Sequence, residues 1–428
     1  MRPVKRVVLE LSLGLMLVAC GHGASDPEPR TELPPPRPES TPLFDAANRG
    51  DADGVRAALA EGASPDEAIA RGGLTPLIIA SYLGRADIVQ SLLDAGASVD
   101  LTNDDDETPL HTSAGASDPE AVVRLLLSRG ASVRALDKFG RIPLGAHAMT
   151  GHVASLRALL DAGSEIDQRD GDGASALFTT CRHGHDGAVG LLLERGASVD
   201  VVNAHGADPL IVAASQGHAS VVRRLLGAGA REGARTIDDQ TALGFAIEAG
   251  SLETVEALLP SWQAGTPVGA AGGPLHVAAQ SNQSEIVRVL LARGLSVDER
   301  PNSDSLTPLH LAAANGAVDA ARLLLEAGAD LRSRVEGTTT LHLAAMSGDL
   351  AMVRFLVERG ADVQARNAQG GTVLRTAAAV GSVDLVRLFL GLGVDPNVVD
   401  TFGRTARADA QQAGHAEVVA VLDAWRPR

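Results

Sequence analysis

Thr307-Pro308-Leu309-His310-Leu311-Ala312-Ala313 decides the architecture, because its leucine is one of a series: Leu43, Leu77, Leu110, Leu144, Leu177, Leu210, Leu243, Leu275, Leu309, Leu341 and Leu374. Successive gaps run from 32 to 34 residues, and a self-similar period of that length marks stacked supersecondary units, each covering the apolar face of the next. A chain of 428 residues built this way grows along one axis and escapes the size limit of a single globular core. Aromatic residues are only 2% of the chain, so the core must consist of thin layers of Ala, Val and Leu.

Counting from each leucine as i, a Val or Ile usually stands at i+12 and a Leu pair or close substitute at i+15 and i+16. Leu77 brings Val89, Leu92 and Leu93; Leu374 brings Val386, Phe389 and Leu390. Spacings of three and four are one face of a helix. A first helix carries small residues at i+3 and i+4, as in Ala213-Ala214 and Ala344-Ala345, which lets neighbouring helices approach closely. Glycine at i+7 (Gly50, Gly151, Gly217, Gly348) and again near i+19 (Gly62, Gly163, Gly229, Gly360) suits the left-handed backbone that ends a helix. Helices of two to three turns are marginal alone in water, so stacking must stabilise them.

Thr108-Pro109-Leu110-His111, the opening stretch, Gly217-His218 and Gly328-Ala329-Asp330 resemble the ankyrin repeat, whose pattern reads Thr-Pro-Leu-His-x-Ala-Ala, Gly-His, Val, Leu-Leu, Gly-Ala-Asp. The resemblance covers about residues 41–428 in some twelve copies. It implies an all-α ankyrin-repeat solenoid of helix-turn-helix units joined by β-hairpin-like loops, with a concave groove that reads protein partners. It also implies that His111, His276, His310 and His342, all at i+1, order helix starts through hydrogen bonds.

Departures from the pattern are local. The third unit has one extra residue between its helices, and Asp118-Pro119 reads as a capping acid and a proline that restart the second helix. In the seventh unit Pro260 and Trp262 occupy the expected end and Ala264 to Gly273 replaces the turn, so residues 260–273 read as a kink or seam. The last unit puts Arg407 for the leucine and adds Asp409, Gln411 and Gln412, as an end cap facing water should.

Residues 1–20 read as an export signal: Arg2, Lys5 and Arg6, an apolar run from Leu11 to Ala19, then Cys20. Leu17-Val18-Ala19-Cys20 resembles the lipobox of bacterial lipoproteins, which implies acylation of Cys20. Residues 21–40, with Pro27, Pro29, Pro34, Pro35, Pro36 and Pro38, read as an extended tether. Together these place the array on the periplasmic side of an envelope, membrane-attached through lipid only. Gly21 is not the Asp that marks inner-membrane retention in enteric bacteria, which favours the outer membrane.

Removing residues 1–20 takes away three basic groups and one acidic group, so the net charge of −16 becomes −18. Nucleic acid would repel such a chain. With Cys20 acylated, Cys181 is the remaining cysteine and no intramolecular disulfide can form. His183 and His185 flank a turn glycine with no matching Cys or carboxylate spacing nearby, and no phosphate loop, serine elbow or paired-carboxylate motif stands outside the repeat pattern. The expectation is a non-enzymatic scaffold with no cofactor and no metal. Its free surface carries an acidic tip, Asp104, Asp105, Asp106 and Glu107, extended by Asp170, Asp172, Asp238 and Asp239, which would steer a basic protein. Tyr82 and Phe139 are the aromatic contact candidates. An inhibitor of one exported enzyme, or a stress-protective envelope component, would use the same surface.

Overall fold

Two short helices per period, most of them followed by a left-handed glycine, are what a computed structural model shows; it describes residues 38–70, 72–300 and 305–426. The signal segment, Cys20 and residues 21–37 of the tether lie outside the described residues. Among the described residues there are twenty-four α-helices, running in consecutive pairs from Pro42–Arg49 and Ala52–Ala60 to Ala406–Ala413 and Ala416–Ala424. Each first helix packs against its own partner and against the first helix of the next unit. The fold is an all-α repeat solenoid.

Local chemistry explains the starts. The Thr75 hydroxyl accepts the Ile78 N–H at 3.2 Å, Thr41 accepts Phe44 at 3.1 Å, and Asp208 accepts Ile211 at 2.8 Å. Proline follows the cap in helices such as Pro76–Tyr82 and Pro308–Ala314, where its missing N–H costs nothing. The recurrent leucines are all at most 5% exposed, and the paired alanines behind them are equally covered. Each such leucine contributes about 1.5–3 kcal/mol on leaving water, so the stacked layers supply what the short helices lack.

The turn glycines of both series adopt φ between 68° and 94°, as their positions require. Asn282 replaces the glycine at one i+7 turn, with φ 53°, and its side-chain oxygen accepts the Ala320 N–H of the next unit at 3.1 Å. Asparagine is among the few other residues that tolerate this backbone.

Two local expectations need correction, and one irregular segment needs description. Asp118 does not cap: helix Glu120–Ser128 starts after Pro119 with no side-chain cap bond, and the first helix of that unit is only Pro109–Thr112, continued by a 3-10 turn, Ser113–Gly115. Asp409 does not face water but reaches Arg375. Residues 260–273 are an ordered replacement for a tip: the Trp262 indole donates to the Thr266 carbonyl at 2.9 Å, and Val268, 1% exposed, plugs the stack with its carbonyl accepting the Thr241 N–H at 3.0 Å. The hairpin-like loops hold a single regular strand pair among the described residues, Arg334–Val335 with Thr338–Thr339, turned by Glu336 and Gly337 at φ 48° and 74°.

Candidate protein-binding surface

The loops between units end in a row of tips, and one recurring kind of side chain folds six of them. Asn103, Asp137, Asp170, Asn203, Asn367 and Asp400 each accept two backbone N–H groups, two and four residues on, at 2.8–3.1 Å. This is the turn chemistry to which Asn and Asp side chains are suited. Asp170 therefore serves its own turn as well as the acidic surface. Neighbouring tips are tied through main-chain atoms: Asp104 N–H to Gly72 O at 3.0 Å, Lys138 to Asp105 at 3.0 Å, Gly171 to Phe139 at 2.8 Å, Ala204 to Asp172 at 3.1 Å and Ile237 to His205 at 3.1 Å.

The row brings most of the acidic residues into one strip and, with them, cations that sequence spacing did not connect. Lys138 pairs with Asp105, Arg141 lies 4.0 Å from Glu107, and Arg235 lies 3.1 Å from Asp239. Asp106, Asp172 and Asp238 are exposed on the same strip. Asp106 and Asp239 hold the left-handed backbone, φ 58° and 61°, that glycine holds at Gly140, Gly173 and Gly206 of other tips. Phe139 stands 54% exposed, with the Lys138 ammonium 5.0 Å and the Arg141 guanidinium 4.8 Å from its ring centre. Tyr82 lies apart, at the end of helix Pro76–Tyr82, its half-exposed ring resting where a side chain at Gly115 would otherwise sit.

Position i+1, just inside the tips, decides what lies beneath them. His111 accepts the Thr108 N–H at 3.2 Å on Nδ1, which leaves Nε2 to donate to the Arg141 carbonyl at 3.0 Å. His310 repeats this with Thr307 and the Ser333 carbonyl, and His342 reaches the Gly371 carbonyl at 3.2 Å. Burial pushes all three imidazoles down, His310 to about 4. Gly273 holds the capping place beside His276, so no threonine hydroxyl meets that ring. Arg375 takes this position in the penultimate unit, 8% exposed, and joins Asp400 at 2.9 Å to Asp409 at 2.6 Å. The burial of Asp400 opposes its charge, but N–H donors from Arg404 and Phe402 and the two guanidiniums hold it well below the carboxylate range.

Gly145 and Gly244 are the exceptions at i+1. Beside Gly145 a cavity of about 180 Å³ opens between two units, walled by Phe139, Arg141, Met149, Arg169 and Arg182. Beside Gly244 the same space is filled by the Val268 carbonyl. The two turn histidines are also spoken for: His183 and His185 stack with centres 5.8 Å apart, and their ring nitrogens meet the Thr179 and Met149 carbonyls at 2.9 Å. Cys181 is fully covered, its thiol pushed up by burial and by the nearby Asp208 charge, and so it is protonated.

A profile of ankyrin repeats, taken three copies at a time, matches residues 15–103, 95–170, 146–236, 210–300 and 275–367. The chain belongs to the ankyrin-repeat family. It is similar to the palmitoyltransferase Hip14 of Drosophila melanogaster, 37% identical over 90 residues that make up 21% of this chain and 14% of that protein. It is also similar to the E3 ubiquitin-protein ligase KEG of Arabidopsis thaliana, 46% identical over 56 residues, 13% of this chain and 3% of that protein. The matched stretches thus span a small part of either relative.

Three residues of this ankyrin array were missed in the sequence: Gly145, Arg375 and His147. The first two had a signal, since both break the i+1 column next to the recurrent leucine. His147 stands at i+3, elsewhere small, and is fully buried, with Nε2 3.1 Å from both the Leu110 carbonyl and the Ser113 hydroxyl and no partner for Nδ1 among the described residues. Burial pushes it down to about 4.

Proposed function

We propose that this chain is a non-enzymatic protein-binding scaffold of twelve ankyrin repeats, held by a lipid on Cys20 to the periplasmic side of a bacterial envelope, at the outer membrane. Ankyrin repeats mediate protein binding, and the observation that carries the reading here is the continuous strip of tips. The strip is tied together through backbone bonds, so side chains such as Asp106, Phe139, Asp172 and Asp238 are left for recognition. The Leu17-Val18-Ala19-Cys20 stretch and the proline-rich residues after it support the anchor. The net charge of −16 supports a partner of net basic charge, steered at long range.

Growth with an alkyne fatty acid tests the anchor: label should enter the natural chain and not Cys20→Ser, and label retained by Cys20→Ser rejects it. Crosslinking in intact cells followed by mass spectrometry should recover protein partners. Their recovery should fall when Asp106, Asp172 and Asp238 are together changed to Asn. Unchanged recovery rejects the basic-partner component and leaves the scaffold standing.

A further inference from the structure

The cavity beside Gly145 exists because one side chain is missing. In the other units before the end cap, which carries Ala408, this place is filled by His, Phe, Ile or Arg, or, at Gly244, by the Val268 carbonyl. Nothing else forces a glycine here: a Cβ on Gly145 would meet only Arg141 carbons, at 3.6 and 3.9 Å, which is ordinary contact. The helix position therefore gives up the stability an alanine would add and keeps a hole.

Its volume, about 180 Å³, lies below the roughly 300–1,000 Å³ of small-molecule sites and suits one side chain. The walls are of two kinds. Phe139, 54% exposed, and Met149, 42% exposed, form an apolar side, and methionine adapts to the shape of what it meets. Arg169 and Arg182 form the other side, both exposed. Arg141 is committed to the buried Asp137 at 2.6 Å, and Asp170 to the N–H groups of its own turn. Arg169 and Arg182 form no ion pair with any carboxylate among the described residues. Arg182 lies against the Phe178 ring at 5.1 Å, which leaves the edge of its guanidinium for an acceptor. Asp172 also lines the rim. Aromatic, methionine and arginine side chains around a hole are the make-up of an interface anchor point.

We propose that this niche binds a segment of a partner protein in which an apolar side chain enters beside Gly145 and an adjacent aspartate or glutamate pairs with Arg169 and Arg182. The proposal rests on the scaffold reading and deepens it. The overall negative field acts on the partner as a whole, whereas the niche reads one local pair of residues.

Selection of short random peptides displayed on phage against the purified full chain tests it. Enriched peptides should share an acidic residue next to a Leu, Met or Phe. In fluorescence polarisation a labelled peptide from the selection should bind about tenfold or more weakly to Gly145→Phe, which fills the hole. A similar loss is expected for the double variant Arg169→Ala, Arg182→Ala. Thermal denaturation checks that both remain folded; should Gly145→Phe fail to fold, the arginine pair decides. Enriched peptides that lack the acidic-apolar pair, or that bind the folded variants undiminished, overturn the niche and leave the scaffold reading standing. No enrichment at all overturns the niche; only if in-cell crosslinking also yields no protein partner does the scaffold reading fall with it.

Discussion

Gly145 and Gly244 occupy the same place in two ankyrin units three apart, yet one opens a hole and the other receives a plug. At Gly244 the main chain of the irregular segment before Pro274 comes in so close that its Val268 carbonyl takes the missing side chain's room. At Gly145 the following tip keeps its standard length, nothing comes in, and the room stays open. The same residue thus answers a packing requirement in one unit and leaves a vacancy in the other. What surrounds a glycine, more than the glycine itself, decides its role.

The strongest test of this column of i+1 positions is its charged member. Arg375→Met should cost about 4 kcal/mol in chemical denaturation, because removing one partner strands Asp409 and takes one of two cations from Asp400. Hydrogen exchange should show the terminal pair, Ala406–Ala413 and Ala416–Ala424, opening first. Equal protection in both proteins would mean that the ion pairs do not hold the cap.

Next comes one substitution made at both glycines. Gly244→Ala forces a clash with backbone and should destabilise by about 2 kcal/mol or more, while Gly145→Ala makes only ordinary contact with Arg141 in a helix and should stabilise by up to about 1 kcal/mol. Melting curves that move in the same direction for the two would break the contrast.

A smaller effect concerns His147, on the Gly145 helix. Unfolded, this imidazole titrates near 6.5; folded, burial holds it at about 4. Above pH 6.5 neither state carries the proton and nothing changes. As pH falls from 6.5 towards 4 the unfolded chain gains a proton that the folded chain refuses, so stability declines, by on the order of 2 kcal/mol at pH 5. His147→Ala should flatten that decline when unfolding midpoints are compared at pH 7 and pH 5. An unchanged slope would assign the acid sensitivity to the i+1 histidines instead.

Much of this was legible in one dimension. The leucine period, the alanine pairs and the two glycine series depend on local geometry, and each is found with the burial or the φ its position demands. The binding strip was legible only in part. Asp105 and Glu107 were visible as acids, but the Lys138 and Arg141 beside them come from the next tip, 33 and 34 residues on, and become neighbours only through stacking. The Val268 plug was hidden for the same reason: a segment that departs from the repeat carries no pattern to say where it lands. Asp118 misled because the extra residue shortened the preceding helix into a 3-10 turn and moved the second start to Pro119.

The tips hang on one another by peptide groups, from Gly72 through Ile237. Such bonds are indifferent to the identity of most side chains, proline apart, since it has no N–H to give. Mutation can therefore rewrite the letters displayed at Phe139, Asp172 or Asp238 while the rail that carries them stays in register. A lineage could change what this surface holds many times over without once having to invent a new frame.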